Sequence, residues 1–270
     1  MQIQRRVEQP IMLPIKKIIE DNKDFKTFVF EGQLGAKPGQ FIMLWIPRVN
    51  MKPFSISNQT EDEFHITVMK VGEFTAKLFE LKVGELLGIQ GPYGRPFSFK
   101  AHGENVAIVG GGCGIAPVNF LIYDAISKGK QVYFIGGCRN KDLFIKADEI
   151  KSLPVETSFV TDDGSYGEKG FTTDALKRLL EKEKIDQIFA CGPEKMLVAI
   201  GKIALERGIP CQISMERYMK CGFGVCGQCC VDDTGLRVCH EGPVFEARTL
   251  LDLKEFGAYK RDGSGTKQKI

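Results

Sequence analysis

The sequence predicts an α+β protein of several domains: an antiparallel β-barrel, an α/β domain on a parallel sheet, and a small C-terminal cysteine module. Three observations carry this expectation. Short apolar or alternating runs fill residues 1–100. From about Ala101–Glu104 to Ser214, strand-like and helix-like segments alternate. Five cysteines then fall within the nineteen residues Cys221–Cys239. The expected boundaries are 1–100, 101–214 and 215–247, followed by a tail over 248–270. A chain of 270 residues suits two domains with an appendage, and a hydrophobic fraction of 43% can build real cores.

In the first part, MLPIKKIIE, KTFVF, QFIMLWI, FHITVMK and ELLGIQ read as strands, separated by turn-rich pieces such as GQLGAKPG and NQTED. Short strands at even spacing point to a small barrel. MKPFSISN adds a strand in which Lys52, Phe54, Ser55 and Ser57 offer a cation, a ring and two hydroxyls. That set suits a pyrophosphate and a stacked ring system; an ordinary Ser-rich edge strand is the alternative. TAKLFEL is helical, with Thr75 as its cap. The turn before it, KVGEF, leaves a helix N-terminus where free N–H groups favour phosphate, though a simple cap has the same pattern. GPYG reads as a tight turn.

In the second part the strands are VAIVG, QVYFIGG, VETSFV, DQIFACG and, last, CQIS. Between them, IAPVNFLIYDAISKG, DLFIKADEIKSL, FTTDALKRLLEKEK and PEKMLVAIGKIALERG read as helices. This order implies a parallel sheet covered on both faces. VAIVGGGCGIAPV is a strand, a glycine turn and a helix, the place where a dinucleotide pyrophosphate meets a helix N-terminus. Gly111, Gly112 and Gly114 are the candidate contacts, and Ile115 stands where a third fingerprint glycine would be; a plain βα turn is the alternative. Cys191, Gly192 and Pro193 lie at the carboxyl edge of the sheet, where ligands bind. Arg139 follows the second strand and suits a 2′-phosphate, so NAD and NADP both stay open.

Cys221, Cys226 and Cys229 follow C-x4-C-x2-C, and Cys239 follows after nine intervening residues. That is the arrangement of a [2Fe-2S] cluster, with two thiolates for each iron. Gly222, Gly224 and Gly227 let the loop wrap and aim N–H groups at sulfur. Structural zinc is the rival, since C-x2-C is half of a zinc set, and free buried thiols are a third reading. Cys230 adjoins Cys229 and is surplus, and His240 is not needed as a ligand.

Several classes are excluded. The net charge of +3 is matched by the segment Arg248–Ile270, with six Lys/Arg against three Asp/Glu, so no basic stripe for nucleic acid exists. The opening MQIQRRVEQP has no apolar run of an export signal. The uncharged stretch Asn105–Tyr123 is broken by glycines and Pro117, which fits a strand, turn and helix rather than a membrane span. A cytoplasmic protein without membrane attachment is expected, and nine cysteines there favour metal or redox chemistry over disulfides. The tail EARTLLDLKEFGAYKRDGSGTKQKI begins as a short helix and reads as disordered over its last nine residues. No paired carboxylates, no Ser/His motif and only three histidines are present, so no catalytic acid or base is assigned. Electron relay by cofactors suits that absence.

These motifs together resemble the ferredoxin-NADP reductase superfamily over about residues 8–214. KPFS resembles its flavin motif, GEFT its pyrophosphate turn, and GGGCGIAP and CGP its nucleotide motifs. ERYMKCGFGVCGQC with VCHEGPVF, and also TDDGSYGEKGFTTD, resemble the family of electron-transfer subunits of NAD-dependent dihydroorotate dehydrogenase. The tail KEFGAYKRDGSG points the same way. The resemblance implies FAD in the barrel, held by Lys52, Pro53, Phe54 and Ser55, by the strand Thr67, Val68 and Met69, and by Phe74 and Thr75. It implies NAD in the α/β domain and a cluster on Cys221, Cys226, Cys229 and Cys239. The implied partner is an FMN-containing catalytic subunit, in a heterotetramer of two of each chain. Electrons would pass from dihydroorotate to FMN, the cluster, FAD and NAD. Lys52 stands for the family's Arg, Phe74 for a small residue, and Cys113 sits inside the glycine turn. Two other readings remain. One is a related relay, the diaphorase-type subunit of a sulfhydrogenase or an NADH-dependent ferredoxin:NADP oxidoreductase. The other is a zinc or redox-sensor protein without turnover.

Overall fold

The computed structural model describes residues 9–100 and 103–270. The first eight residues of the opening segment, and Ala101 and His102 of the expected domain junction, lie outside them.

The N-terminal part is a closed barrel. Its strands are β1 (Ile11–Asn22), β2 (Phe25–Glu31), β3 (Phe41–Ile46), β4 (Asn50–Gln59), β5 (Glu63–Met69) and, after helix α1 (Glu73–Glu80), β6 (Leu86–Tyr93). Around the barrel they run β1-β2-β5-β4-β3-β6, all neighbours antiparallel. Alternation explains the closure. In β5, Phe64, Ile66 and Val68 point inward while His65, Thr67 and Met69 point out. Phe30 and Phe64 stack in the core with centroids 5.1 Å apart. Each such fully buried side chain contributes about 1.5–3 kcal/mol.

Two local expectations change here. GPYG is not a tight turn, because β6 continues to Tyr93, which pairs with Phe41 across an irregularity in the register. The helix starts at Glu73, and Thr75 caps it from inside. Its hydroxyl accepts from the N–H groups of Val71 (2.9 Å) and Gly72 (3.1 Å).

The second part is built from β7 (Asn105–Gly111), α2 (Ile115–Ser127), β8 (Gln131–Cys138), α3 (Ala147–Lys151), β9 (Glu156–Thr161), β10 (Glu168–Lys169), α4 (Thr172–Lys182), β11 (Gln187–Cys191), α5 (Glu194–Glu206) and β12 (Cys211–Ser214). The sheet order is β10-β9-β8-β7-β11-β12, all parallel. CQIS is not the last strand: β13 (Val244–Glu246), from beyond the cysteines, adds to it antiparallel. Helix α2 lies between this sheet and the barrel. Phe120 joins the barrel core, and the Asn119 side chain donates to the Ser57 carbonyl at 3.3 Å. A helix covered on both sides carries no charge there, which accounts for the uncharged stretch.

DLFIKADEIKSL does not form one helix. A short 3-10 turn over Lys141–Leu143 is separated from α3 by Phe144–Lys146, with Lys146 at φ +56°. Tertiary contacts outweigh helix propensity. The Phe144 ring packs on Phe159 and Tyr166, and the Lys146 ammonium pairs with Glu149 at 3.0 Å and Asp21 at 3.7 Å.

The tail is also ordered. After α6 (Ala247–Leu251), strands β14 (Tyr259–Arg261) and β15 (Lys267–Lys269) form a hairpin, so that the last nine residues, where disorder was expected, hold its turn and second strand. The Asp262 carboxylate holds its turn by accepting from the N–H groups of Ser264 (2.9 Å) and Thr266 (3.1 Å). Asp232 of the cysteine module anchors it through the Tyr259 hydroxyl and the Arg261 guanidinium, both at 2.8 Å, and Lys267 at 3.2 Å. That anchor lies far away in sequence, so local composition did not reveal it. Among the described residues, no helix is long and apolar enough to cross a membrane.

A buried ion network ties these parts together. The Arg217 guanidinium donates to Glu194 at 2.7 Å and Glu255 at 2.6 Å. Glu255 also accepts the Asp232 N–H, and Glu194 the Gly257 N–H, both at 2.7 Å. Arg217 and Glu255 are buried. Removing one partner strands the opposite charge. Arg217→Ala is expected to lower unfolding free energy by about 3–5 kcal/mol, read as a lower urea midpoint; an unchanged midpoint would refute the network's structural role.

Candidate functional site

The barrel face expected at a flavin is built mainly on β4, β5 and α1. Lys52, Pro53, Phe54 and Ser55 lie on β4, half-buried. The Lys52 ammonium donates to the Tyr218 hydroxyl at 2.8 Å and lies 4.4 Å from that ring's centre. Phe54 stacks on Phe74 at 5.9 Å. Phe74 therefore turns its ring into the core, and only its backbone stands at the turn. The first bond of α1 runs from Ala76 N–H to Gly72 carbonyl, so the N–H groups of Glu73, Phe74 and Thr75 precede the ladder. Thr67 faces outward within a chain of oxygen contacts: Asp21–Thr27 at 2.7 Å, Thr27–Thr67 at 2.8 Å and Thr67–Ser57 at 2.9 Å. The Val68 side chain is buried in the barrel core, which leaves its backbone alone to meet a ligand. Met69 faces the neighbouring cleft.

That cleft, of about 780 Å³, lies at the carboxyl edge of the parallel sheet. Its size falls in the range of small-molecule sites. Gly111, Gly112 and Cys113 line it, as do Arg139, Gly192, Pro193 and, from the barrel, Phe25 and Met69. The glycines have different reasons to be there. A Cβ on Gly114 would fall 2.3 Å from the Cys191 carbonyl oxygen, and one on Gly111 2.6 Å from the Met196 sulfur. Gly112 has φ +53° and open space around it. Gly111 and Gly114 thus let the glycine turn and the CGP turn pack together, while Gly112 faces the cleft. The Cys191 thiol is buried beside Ser214, so Gly192 and Pro193 are the parts of that motif that reach the cleft.

Glu216 lines the same cleft and was missed in the sequence. Its one signal is position: it follows the carboxyl end of β12 by two residues, at the sheet edge where ligands bind. Its side chain is accessible from the cleft, yet protein surrounds it. That burial holds the carboxyl above its ordinary value; Lys260 opposes the rise and Glu194 adds to it. Cys113 is exposed at the cleft, yet the protein packed around its sulfur pushes the thiol up to about 11.

The cysteine loop stands against the barrel. A Cβ on Gly222 would lie 2.5 Å from the Met43 side chain, and Phe223 packs on Tyr93 with centroids 5.9 Å apart. The four expected ligands stand as two pairs. Cys221 contacts the Cys226 thiol and accepts the Cys226 N–H at 3.5 Å; Cys229 contacts the Cys239 thiol and accepts the Cys239 N–H at 3.4 Å. Burial would raise the Cys221 thiol, but N–H groups of Cys226, Phe223 and Val225 bring it down to about 7. Among the described residues, no three His, Cys, Asp or Glu side chains close on one point for a single ion. Cys230 lies outside both pairs, and its thiol is raised by burial and by neighbouring Cys229. His240 bonds Glu241 at 2.9 Å.

Comparison with known proteins matches this geometry. Family models for an oxidoreductase FAD-binding domain, an oxidoreductase NAD-binding domain and the iron-sulfur cluster binding domain of dihydroorotate dehydrogenase B match residues 13–97, 108–202 and 216–251. The chain is thus an oxidoreductase subunit that binds FAD, NAD and an iron-sulfur cluster. A protein of Methanocaldococcus jannaschii, described as the probable electron transfer subunit of dihydroorotate dehydrogenase B (NAD(+)), is 46% identical over 97% of this chain and 99% of its own. One of Methanothermobacter thermautotrophicus with the same description is 44% identical over 95% and 96%. The solved NADH-dependent reduced ferredoxin-NADP oxidoreductase superimposes with TM-score 0.79 at 31% identity, covering 88% of this chain and 89% of that one. This chain belongs to the family of dihydroorotate dehydrogenase B electron transfer subunits.

Two outcomes follow. Cys226→Ser should abolish the visible absorbance of the cluster while Cys230→Ser keeps it; loss in the second variant would reassign the ligands. Glu216 binds its proton more tightly folded than unfolded, so its contribution to stability is full below about 4.5 and lost as pH rises through the higher folded value. Glu216→Gln should therefore gain in melting temperature over the native chain as pH rises from the acid range to neutrality. A difference that stays constant with pH would contradict this.

Proposed function

We propose that the chain relays electrons from a catalytic dihydroorotate dehydrogenase subunit containing FMN to NAD+, as a cytoplasmic step of pyrimidine biosynthesis. The observation that carries the reading is the shared wall between the two redox sites. The cysteine loop meets β3 and β6 of the barrel through Gly222 and Phe223, and Lys52 reaches Tyr218 beside that loop. When bound, FAD exchanges two electrons with the nicotinamide and single electrons with the cluster.

The chain's own residues divide the remaining work. Lys52, Pro53, Phe54, Ser55 and Thr67, with the backbone of Val68, Phe74 and Thr75, hold FAD. Met69 and Phe25 bring the barrel to the edge of the nucleotide cleft, where Gly112, Gly192 and Pro193 receive NAD. Gly111, Gly114 and Cys191 support those turns from behind. The two cysteine pairs, Cys221 with Cys226 and Cys229 with Cys239, would hold a [2Fe-2S] cluster through their four thiolates. N–H groups aimed at the sulfurs stabilise thiolate. The loop tip faces outward, with Val225 76% exposed beside exposed Cys226. An apolar residue so placed suits a partner surface. The partner is the FMN subunit, in an assembly of two of each chain.

The 31%-identical ferredoxin-NADP oxidoreductase supports a second reading, in which the same relay serves a ferredoxin-linked partner. One assay separates them. Adding the purified chain to its FMN partner should confer dihydroorotate-dependent NAD+ reduction. No stimulation would defeat the first reading; stimulation of ferredoxin-dependent NADP+ reduction instead would establish the second.

A further inference from the structure

The C-terminal hairpin reaches the cleft at the carboxyl edge of the parallel sheet, although it lies beyond residue 251, where the matched family models end. Lys260 and the last residue, Ile270, both line that cleft. Strand alternation explains the orientation. On β14, Tyr259 and Arg261 turn to one side and grip Asp232. Lys260, between them, faces the other way. The hairpin is pinned at three further points. The Gln228 side chain donates to the Asp262 carbonyl at 3.3 Å, and the Ile270 N–H donates to the Ala258 carbonyl at 3.1 Å. Gly263 lies so close to Tyr218 that a Cβ there would be 2.8 Å from its ring.

The charges around the cleft narrow what Lys260 does. The other lining cations are Arg139 and Lys195, and the lining carboxylates are Asp162, Glu194 and Glu216. Glu194 is committed to Arg217 and to the Gly257 N–H. Glu216 feels the Lys260 charge, and so does the Cys113 thiol within the glycine turn. Lys260 lines the same cleft as Gly111, Gly112 and Cys113 of the turn that opens α2, where a dinucleotide's pyrophosphate is placed by free N–H groups. A point charge on a flexible stem suits a phosphate oxygen.

We propose that the C-terminal hairpin is a wall of the dinucleotide cleft, and that Lys260 is its cation for the pyrophosphate of NAD(H). Arg261 acts as a positioning residue by fixing the hairpin to Asp232. This inference rests on the reading of the cleft as the NAD(H) site.

The test is NADH binding to the intact holoprotein, by calorimetric titration at several salt concentrations, with flavin and cluster spectra recorded alongside. Lys260→Ala should weaken NADH binding about tenfold, as loss of one charge-assisted hydrogen bond predicts, and should flatten its salt dependence. Lys260→Arg should restore both. Arg261→Ala should weaken binding in the same direction, with unaltered flavin and cluster spectra. Native affinity and native salt dependence in Lys260→Ala would overturn the assignment, and native affinity in Arg261→Ala would overturn the positioning role. A native chain that bound no NADH would instead defeat the reading of the cleft itself.

Discussion

The buried guanidinium of Arg217 is the point on which the rest of this structure depends. It joins Glu194, the first residue of the helix at the cleft of the parallel sheet, to Glu255, which holds the backbone of Asp232 in the cysteine module. A buried charge is costly unless both its partners and their hydrogen bonds are complete. Here they are, since each carboxylate also accepts a backbone N–H. The planar fork of arginine can serve two carboxylates at fixed angles, which a lysine ammonium cannot do with the same directionality. The cleft, the cysteine loop and the tail are thereby held as one unit.

Around this unit, glycines allow backbones to approach where side chains would collide. Gly114 brings the glycine turn against Cys191, and Gly222 brings the cysteine loop against Met43 of the barrel. Gly94 does the same where the barrel meets Pro243, at 2.5 Å for a hypothetical Cβ. For a relay these contacts matter more than any acid or base, because the cofactors carry the chemistry and the protein sets their separation. Helix α2 belongs to the same logic. It lies between sheet and barrel, so it is apolar over most of its surface and meets β4 through Asn119.

Much of this was legible in the chain. The barrel strands were readable as short apolar runs bounded by turns, as in β2, β3 and β6, and in β5 as a period-two alternation. The parallel sheet was readable because strands and helices alternate. The meeting of Cys221 with Cys226 and of Cys229 with Cys239 was readable because cysteines so close in sequence share one short loop. The tail, the segment 142–153 and Glu216 were not. The polar composition of the tail looks unstructured until Asp232 supplies an anchor. Helix propensity in 142–153 loses to the aromatic contacts of Phe144 and the ion pairs of Lys146. A lone glutamate carries no pattern, and Glu216 gains meaning only from the cleft it enters.

The sequence by itself determined the three-part organisation, the position of the glycine turn and the identity of the four paired cysteines. Those features depend on periodicity and spacing, which are properties of neighbouring residues. Only the tertiary structure decided which of them meet. It turned the Val68 and Phe74 side chains into the core, directed Lys52 at Tyr218, and carried Lys260 from the tail into the cleft at the edge of the parallel sheet. The physical reason is that each of these depends on a contact between distant segments. Such contacts form only when burial and charge pairing over the whole chain offset the entropy of closing the long loops between them.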